Sequence, residues 1–221
     1  MIDIGGIKVA MFDLDGTLIP FPKDFLFSQT FEVFSEMGIE AVSREAMESA
    51  FARFDFFSIV DEEIRNTFME RYWARFQWNA YPRFSPFEGA INCLASLKEQ
   101  GITTAIVTSR AEPSADVAKN ISETGLLEYI DRIETRSSVP GGGASDTDWS
   151  NKTPQISHIC KSLKVEPKHC LMAGDVPPDI ESAKKEEIGL TIGLLSGGIS
   201  LEILKKADPD YILPSVASIV A

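Results

Sequence analysis

A short apolar run near the start of the chain ends in two closely spaced aspartates, in the segment VAMFDLDGTL at residues 9–18. Four consecutive apolar residues are too few for a helix and predict a buried strand. Because side chains alternate along a strand, Asp13 and Asp15 are expected to point to the same side where the strand ends. Two carboxylates this close repel each other, and a hard cation that prefers oxygen ligands, such as Mg²⁺, would offset the repulsion. The segment therefore predicts a divalent-metal site, followed by a sharp turn at Gly16.

Other polar side chains that could act on a bound anion follow later apolar runs. Thr108 and Ser109 follow a second strand-like run, Asp175 follows another, and Lys152 opens the helix before that one. In an open parallel sheet, binding sites form beyond the carboxyl ends of the strands. We therefore expect these side chains to meet Asp13 at one edge of a sheet, where hydroxyl and ammonium groups would hold the oxygens of a phosphate.

These segments, in this order, resemble the motifs of the haloacid dehalogenase-like (HAD) superfamily, most of whose members transfer phosphoryl groups. The matching segments are DLDGTL at 13–18, AIVT at 105–108, KTP at 152–154 and GDVPPD at 174–179. The two prolines of the last segment depart from the usual residues and stiffen the loop. The remaining sequence looks most like phosphoglycolate phosphatase-like members, which carry an α-helical cap between the first two motifs.

The resemblance implies a Mg²⁺-dependent phosphoric monoester hydrolase in which each matched residue has a role. Asp13 is the nucleophile that forms an aspartyl-phosphate, while Asp15 protonates the leaving alcohol and later deprotonates water. Asp13, Asp175 and the backbone carbonyl of Asp15 hold Mg²⁺, and Asp179 is a further ligand through water. Asp179 also suits the N-cap of the following helix, and capping alone would explain it.

The resemblance also implies a set of phosphate contacts. Thr108 and Lys152 hold and neutralise the phosphate oxygens, and Ser109 and Arg110 are additional candidates for substrate binding. Two of these residues have ordinary interpretations as well. A threonine at the end of a strand often forms a local turn, and a loop lysine is usually just solvated.

Alternating strand and helix patterns supply the elements that must position these residues. After the first strand, strands are expected at 102–107, 130–133, 170–173, 190–194 and 211–213, and helices at 89–99, 114–124, 153–163, 179–187 and 201–206. This alternation predicts an α/β fold, with a Rossmann-like parallel sheet and helices on both of its faces. Residues 137–150 are predicted to form a flexible loop that is either functional or disordered.

Residues 19–81 have a different pattern, with large apolar side chains at helical spacing. The positions that recur at intervals of three and four are Phe27, Phe31, Phe34, Ile64, Phe68 and Tyr72. Ser43 suits the N-cap of one helix, and Gly38 suits the end of the helix before it. We expect three or four helices that form an α-helical cap at 19–81, inserted into a core made of residues 1–18 and 82–221.

Composition limits the partners and the compartment. The formal net charge of −12 argues against a nucleic-acid binder, which needs Lys and Arg to neutralise phosphates. No run approaches the ~18 apolar residues of a membrane helix, and no signal peptide is visible. Three cysteines without a C-x-x-C pair fit reduced, buried thiols in a cytoplasmic protein. The expected partner is a small phosphorylated metabolite, and the sequence does not specify an oligomeric state.

Three alternatives to a phosphatase remain open on the sequence. A phosphomutase resembling β-phosphoglucomutase would use the same chemistry and isomerise a sugar phosphate. A receiver domain of a response regulator shares acidic ligands, a phosphoacceptor Asp, a Thr and a Lys, but it lacks an inserted helical cap. A non-catalytic binding protein on this fold would have no need of Asp13, Asp15 and Asp175 together.

Overall fold

The computed structural model describes residues 2–75, 84–140 and 150–220 of the chain. Its sheet contains the strands β1 Val9–Phe12, β2 Thr103–Val107, β3 Arg132–Glu134, β4 Cys170–Gly174, β5 Leu190–Leu194 and β6 Tyr211–Leu213. These strands are parallel and lie in the order β3-β2-β1-β4-β5-β6. The predicted α/β fold with a parallel, Rossmann-like sheet is therefore confirmed.

Strand β1 lies inside the sheet and organises it. Val9 is opposite Thr103 of β2 on one side and opposite Cys170 of β4 on the other. All four residues of β1 are buried, as expected for a central parallel strand. The order of the strands along the chain reverses between β1 and β4, and open α/β sheets bind ligands at such a switch point.

Helices cover both faces of this sheet. The helices are α1 Lys23–Met37, α2 Arg44–Ala52, α3 Glu62–Arg75, α4 Ala90–Glu99, α5 Ser114–Asn120, α6 Thr153–Leu163, α7 Pro177–Lys185 and α8 Leu201–Lys206. On one face Phe12 belongs to an apolar cluster with Leu94 of α4, and on the other Met11 belongs to a cluster with Ile156 of α6. Adjacent residues of β1 thus enter different clusters, because side chains alternate along a strand.

Helices α1, α2 and α3 lie between β1 and β2 in the sequence, and we call residues 23–75 the helical segment. The segment has an apolar cluster of its own, which includes Phe27, Phe34, Met47, Phe68 and Tyr72. We call these five residues the aromatic cluster. The segment also contacts the core, since Ser200 N–H donates to the carbonyl of Ala52 at 2.8 Å. The predicted domain boundaries stay a prediction, and the one at residue 82 lies outside the described residues.

The predicted ends of two helices in this segment are confirmed. Gly38 follows α1 in the left-handed region with φ 64°, and its N–H donates to carbonyls of the last turn. Ser43 is the N-cap of α2, where its side chain accepts a hydrogen bond from the N–H of Ala46. The aromatic spacing is less reliable, because Phe31 is 38% exposed while Phe27 and Phe34 are buried.

Three other elements differ from the sequence prediction. The helix expected at 114–124 ends at Asn120, because Ser122 and Thr124 hydroxyls donate to nearby backbone carbonyls and favour a 3₁₀ turn instead. The strand expected at 130–133 starts later, where Arg132 pairs with Ala105. The helix expected from residue 179 begins at Pro177, because proline suits the first turn of a helix.

The remaining predictions of this kind concern a loop, the cysteines and membrane helices. Within the loop predicted at 137–150, residues 141–149 lie outside the described part of the chain. Cys93, Cys160 and Cys170 are free and buried, as expected. Among the described residues, no helix has the length and hydropathy needed to cross a bilayer.

Candidate active site

Asp13 and Asp175 come together because the two strands that precede them are neighbours. Asp13 follows β1 directly, and its N–H donates to the carbonyl of Ala173 in β4 at 2.9 Å. Asp175 follows β4 directly. Gly16 completes the turn after β1 with φ +93°, and a Cβ atom there would lie 2.3 Å from Oδ2 of Asp175. Only glycine satisfies both this backbone conformation and this close approach.

A third carboxylate joins these two. Asp13, Asp175 and Asp179 are buried, and each offers a carboxylate oxygen within 4.8 Å of the others. We call these three residues the acidic cluster. Thr17 Oγ1 donates to Oδ1 of Asp175 at 2.9 Å. The loop after β5 closes on the same carboxylate, since a Cβ atom on Gly197 would lie 1.7 Å from its Oδ2.

Lys152 supplies the positive charge that faces the acidic cluster. Its Nζ donates to Oδ1 of Asp13 and to Oδ1 of Asp179, each at 2.5 Å. The Lys152 side chain is only 2% exposed, so it is not the solvated loop lysine that the sequence left open. Its backbone N–H donates to Oγ of Ser182 at 3.0 Å, which ties the start of α6 to α7.

Burial and mutual repulsion change the acidity of these groups. Burial raises the pKa of Asp13 from 3.8 to about 7, with Lys152 acting against the rise and Asp179 and Asp15 adding to it. Burial, and after it the charges of Asp13 and Asp179, raises the pKa of Asp175 well above its usual range. Burial alone would lower the pKa of Lys152, but the two carboxylates it contacts raise it overall. With all three carboxylates ionised, the cluster would carry more negative charge than one ammonium group neutralises, and the raised pKa values reflect this repulsion together with burial.

The sequence suggested Asp179 as a possible N-cap of its helix, but in the structure Asp179 lies within the helix. It is the third residue of α7, which starts at Pro177. Its Oδ2 accepts a hydrogen bond from the N–H of Val176 at 3.2 Å, while its Oδ1 contacts Lys152. A Cβ atom on Gly174 would lie 2.0 Å from Oδ2, so glycine is needed for this approach. Asp179 thus secures the first turn of α7 and orients Lys152.

The carboxylate of Asp15 has a different partner from the metal that its spacing suggested. Arg110 Nε donates to Oδ2 of Asp15 at 2.8 Å, and Arg110 Nη2 donates to Oδ1 at 2.7 Å. The side chains of Arg110 and Asp15 are 2% and 12% exposed. The cation beside this carboxylate is therefore a guanidinium, and the carboxylates gathered around Asp13 come from Asp175 and Asp179. Of the oxygen atoms of Asp15, only the backbone carbonyl oxygen therefore remains a candidate metal ligand.

Thr108 and its neighbours form the turn after β2. The N–H of Thr108 donates to the carbonyl of Glu134 at 3.0 Å, and its Oγ1 accepts from the N–H of Arg110 at 3.2 Å. This is the local turn that was the ordinary interpretation of Thr108. A hydroxyl that accepts one hydrogen bond still has its own proton to donate, so a phosphate contact is compatible with the turn. Ser109 is half-buried beside it.

Two features of the site were not predicted from the sequence. One is the pairing of Arg110, expected to contact substrate, with Asp15. The other is the close approach of Gly197 to Asp175, for which the only sequence signal is a Gly-Gly pair after an apolar run. Both depend on segments that are distant along the chain, so local patterns carry little information about them.

Comparisons with known proteins bear on the family and the fold of the chain. The family model described as haloacid dehalogenase-like hydrolase matches residues 10–192. Pyrophosphatase PpaX from Halalkalibacterium halodurans is 27% identical over 97% of this chain and 95% of its own length. Phosphoglycolate phosphatase from Aquifex aeolicus is 26% identical over 81% of each chain. A solved haloacid dehalogenase-like family hydrolase, protein SP0104 from Streptococcus pneumoniae, is 17% identical, covers 97% of both chains and has a TM-score of 0.72.

Proposed function

The chain belongs to the haloacid dehalogenase-like hydrolase family, and we propose that it is a Mg²⁺-dependent phosphatase that acts on a small phosphorylated metabolite through an aspartyl-phosphate. One observation carries the proposal: three buried carboxylates and one buried ammonium group meet where β1 and β4 end. Burying like charges together is unfavourable unless a partner of opposite charge binds them. An arrangement of this kind therefore indicates a site for a cation and an anion together.

The donor set of the acidic cluster suits Mg²⁺. Carboxylate oxygens are the ligands that hard divalent cations prefer. Asp13 and Asp175 would hold the ion with the backbone carbonyl of Asp15, and Asp179, which is hydrogen-bonded to Lys152 and to the N–H of Val176, would contribute through water. When bound, the ion supplies positive charge beside the oxygens of the phosphoryl group.

The carboxylate of Asp13 is the proposed nucleophile. An Oδ atom of Asp13 forms a bond to phosphorus, and the bond from phosphorus to the leaving oxygen breaks. Asp15 gives a proton to that oxygen, so the leaving group departs as an alcohol. In the second half, Asp15 takes a proton from water as the water oxygen bonds to phosphorus. The bond to Asp13 then breaks, which releases inorganic phosphate and restores the carboxylate.

Lys152 and Thr108 would stabilise charge during both halves. The Lys152 ammonium lies 2.5 Å from the proposed nucleophile, so it can also reach a phosphoryl oxygen attached there. The Thr108 hydroxyl has a proton available for a second oxygen. Charge stabilisation by fixed groups is the main contribution that proteins make to phosphoryl transfer.

The names of the relatives suggest which substrates to test first. Pyrophosphate and 2-phosphoglycolate are small and strongly anionic, and sugar phosphates and nucleotides extend the panel. We expect at least one member to release inorganic phosphate in the presence of Mg²⁺, and the release to stop when the metal is chelated or when Asp13 is replaced by Asn. Folded protein that releases phosphate from no member, or an Asp13→Asn variant as active as the parent, would contradict the proposal. A phosphomutase would instead return an isomerised sugar phosphate.

A further inference from the structure

Arg110 makes two parallel hydrogen bonds to the carboxylate of Asp15. The donors are Nε and Nη2, at 2.8 and 2.7 Å from the two different oxygens. A guanidinium presents these donors as a rigid fork, so the pair fixes the plane of the carboxylate as well as its position. The side chain of Arg110 is 2% exposed, so solvent does not compete for the same donors.

The backbone around Arg110 is fixed independently of any substrate. Its N–H donates to Oγ1 of Thr108 at 3.2 Å, and its carbonyl accepts from the N–H of Arg136 at 3.0 Å. Thr108 is itself joined to Glu134, the last residue of β3, through a backbone hydrogen bond of 3.0 Å. The guanidinium therefore approaches Asp15 from a turn held by two strands of the sheet.

We propose that Arg110 is a positioning residue that holds Asp15 in line with the leaving oxygen, and that it is not a substrate contact. This inference rests on the proposed function, in which Asp15 transfers the proton. A carboxylate has about four lone-pair sites, and a guanidinium fork uses two of them. Each oxygen of Asp15 thus keeps a site that can face the leaving group. Without the fork, the carboxylate can rotate away from the geometry that proton transfer needs.

Substrates whose leaving groups differ in basicity can distinguish a positioning role of Arg110 from a role in substrate binding. A p-nitrophenolate leaves with little help from a proton, whereas an alkoxide needs full protonation. For Arg110→Lys and Arg110→Gln we expect kcat on an alkyl phosphate to fall by about 100-fold or more, and kcat on p-nitrophenyl phosphate by less than about 10-fold. An equal fall in kcat/KM for both substrates, carried by KM, would assign Arg110 to substrate binding and overturn the inference.

A double-mutant cycle with Asp15→Asn provides a second test. If Arg110 acts through Asp15, adding Arg110→Lys to Asp15→Asn should change kcat on the alkyl phosphate by less than about threefold. If the two substitutions instead reduce kcat independently, so that their fold-losses multiply in the double variant, the inference is overturned while the role of Asp15 remains. Full activity of Asp15→Asn on the alkyl phosphate would instead remove the proposed role of Asp15, and the inference would fall with it.

Matched controls keep these tests free of folding effects. Arg132 is an exposed arginine on β3, so Arg132→Lys and Arg132→Gln should leave both substrates unaffected. Arg110→Lys retains the positive charge beside Asp15 and is the variant to rely on if Arg110→Gln does not fold. Restoration of the wild-type ratio of alkyl to aryl activity by Arg110→Lys alone would also contradict the inference, because a lysine cannot form the fork.

Discussion

The acidic cluster and the aromatic cluster are both buried, but different interactions hold their side chains. In the acidic cluster each carboxylate is held by a directed hydrogen bond, from an ammonium group or from a hydroxyl. Lys152 Nζ lies 2.5 Å from oxygens of both Asp13 and Asp179, and Thr17 Oγ1 lies 2.9 Å from an oxygen of Asp175. Small changes in these side chains remove a specific bond.

In the aromatic cluster the aromatic side chains contact one another through the faces and edges of their rings. The rings of Phe27 and the adjacent Phe56 are stacked with centroids 5.6 Å apart, and those of Phe34 and Phe68 are tilted at 5.1 Å. Such contacts stabilise through buried area and tolerate changes of geometry. The helical segment is thus built for stability, whereas the edge of the sheet keeps an unfavourable charge arrangement that a functional site explains.

Asp13→Asn should separate activity from stability most clearly. We expect kcat to fall by about 1,000-fold or more, because the amide is a poor nucleophile. The free energy of unfolding of the metal-free protein should stay the same or rise, because a buried carboxylate with a raised pKa is gone. Steady-state kinetics and thermal unfolding check the two halves, with the exposed Asp61→Asn as the control. An Asp13→Asn variant within tenfold of wild-type activity would contradict the assignment of Asp13 as the nucleophile.

Lys152→Met should destabilise the protein strongly because it leaves Asp13 and Asp179 without their shared partner. Breaking a buried ion pair by removing one side costs about 3–5 kcal/mol. Denaturant unfolding measures the loss, and Lys161→Met, which replaces an exposed lysine on the helix that follows Lys152, should change stability by less than about 0.5 kcal/mol. Equal effects of the two substitutions would mean that the charge arrangement contributes nothing to the fold.

Phe68→Ala should reduce stability through lost packing alone. Phe68 is fully buried in the aromatic cluster, and truncation of a buried phenylalanine costs about 3 kcal/mol. Phe31 occupies a similar place in the sequence pattern but is 38% exposed, so Phe31→Ala should cost no more than about 1 kcal/mol. Urea unfolding midpoints compare the stability of the two variants. A larger loss of stability in Phe31→Ala than in Phe68→Ala would show that the aromatic cluster is assigned wrongly.

Mg²⁺ should stabilise the wild-type protein by about 2.7 kcal/mol at a concentration 100 times its Kd. The gain should grow as the pH rises. The raised pKa of Asp13 means that the metal-free folded state binds more protons than the unfolded state between about pH 4 and 7, so its stability falls with rising pH across that window. Calorimetry with Mg²⁺ and with a chelator, at pH 5 and pH 8, measures this. A gain that is equal or larger at pH 5 would count against the acidic cluster as the metal site.

Ser43→Ala should have the smallest effect, about 1 kcal/mol, because it removes the N-cap hydrogen bond that the side chain accepts from the N–H of Ala46. Ser43→Asp keeps an acceptor and adds a charge that favours the helix N-terminus, so it should retain the stability of the parent. Thermal unfolding compares them. A loss in Ser43→Asp as large as in Ser43→Ala would show that a side-chain acceptor at this position is not what stabilises the helix.

The sheet and several helices could be predicted from the sequence because their signals are local. The apolar run at Leu190–Leu194 and the pattern at Thr153–Leu163 match the observed elements from end to end. The errors arose where side chains compete with the regular backbone pattern. Ser122 and Thr124 shorten one helix, and another begins earlier than predicted, at Pro177, so that Asp179 lies within it and not at its N-cap.

The site was predictable as a set of residues and unpredictable as a set of contacts. Asp13, Lys152 and Asp175 could be grouped because parallel strands end at one edge of a sheet. The partner of Asp15 could not be found this way, since Arg110 is 95 positions away and an arginine near an expected phosphate site is readily taken for a phosphate ligand. Pairing of charges depends on the folded geometry, which residue types alone do not specify.

Asp13 is the group proposed to accept the phosphoryl group, and chemical trapping tests this role directly. Borohydride reduces an aspartyl-phosphate to homoserine, so quenched single-turnover mixtures can be digested and residue 13 identified by mass spectrometry. We expect homoserine at position 13 in wild type and more of it in Asp15→Asn, in which release of phosphate from the intermediate is slowed. Release of phosphate by both proteins with an unmodified Asp13 at every time point would contradict the account.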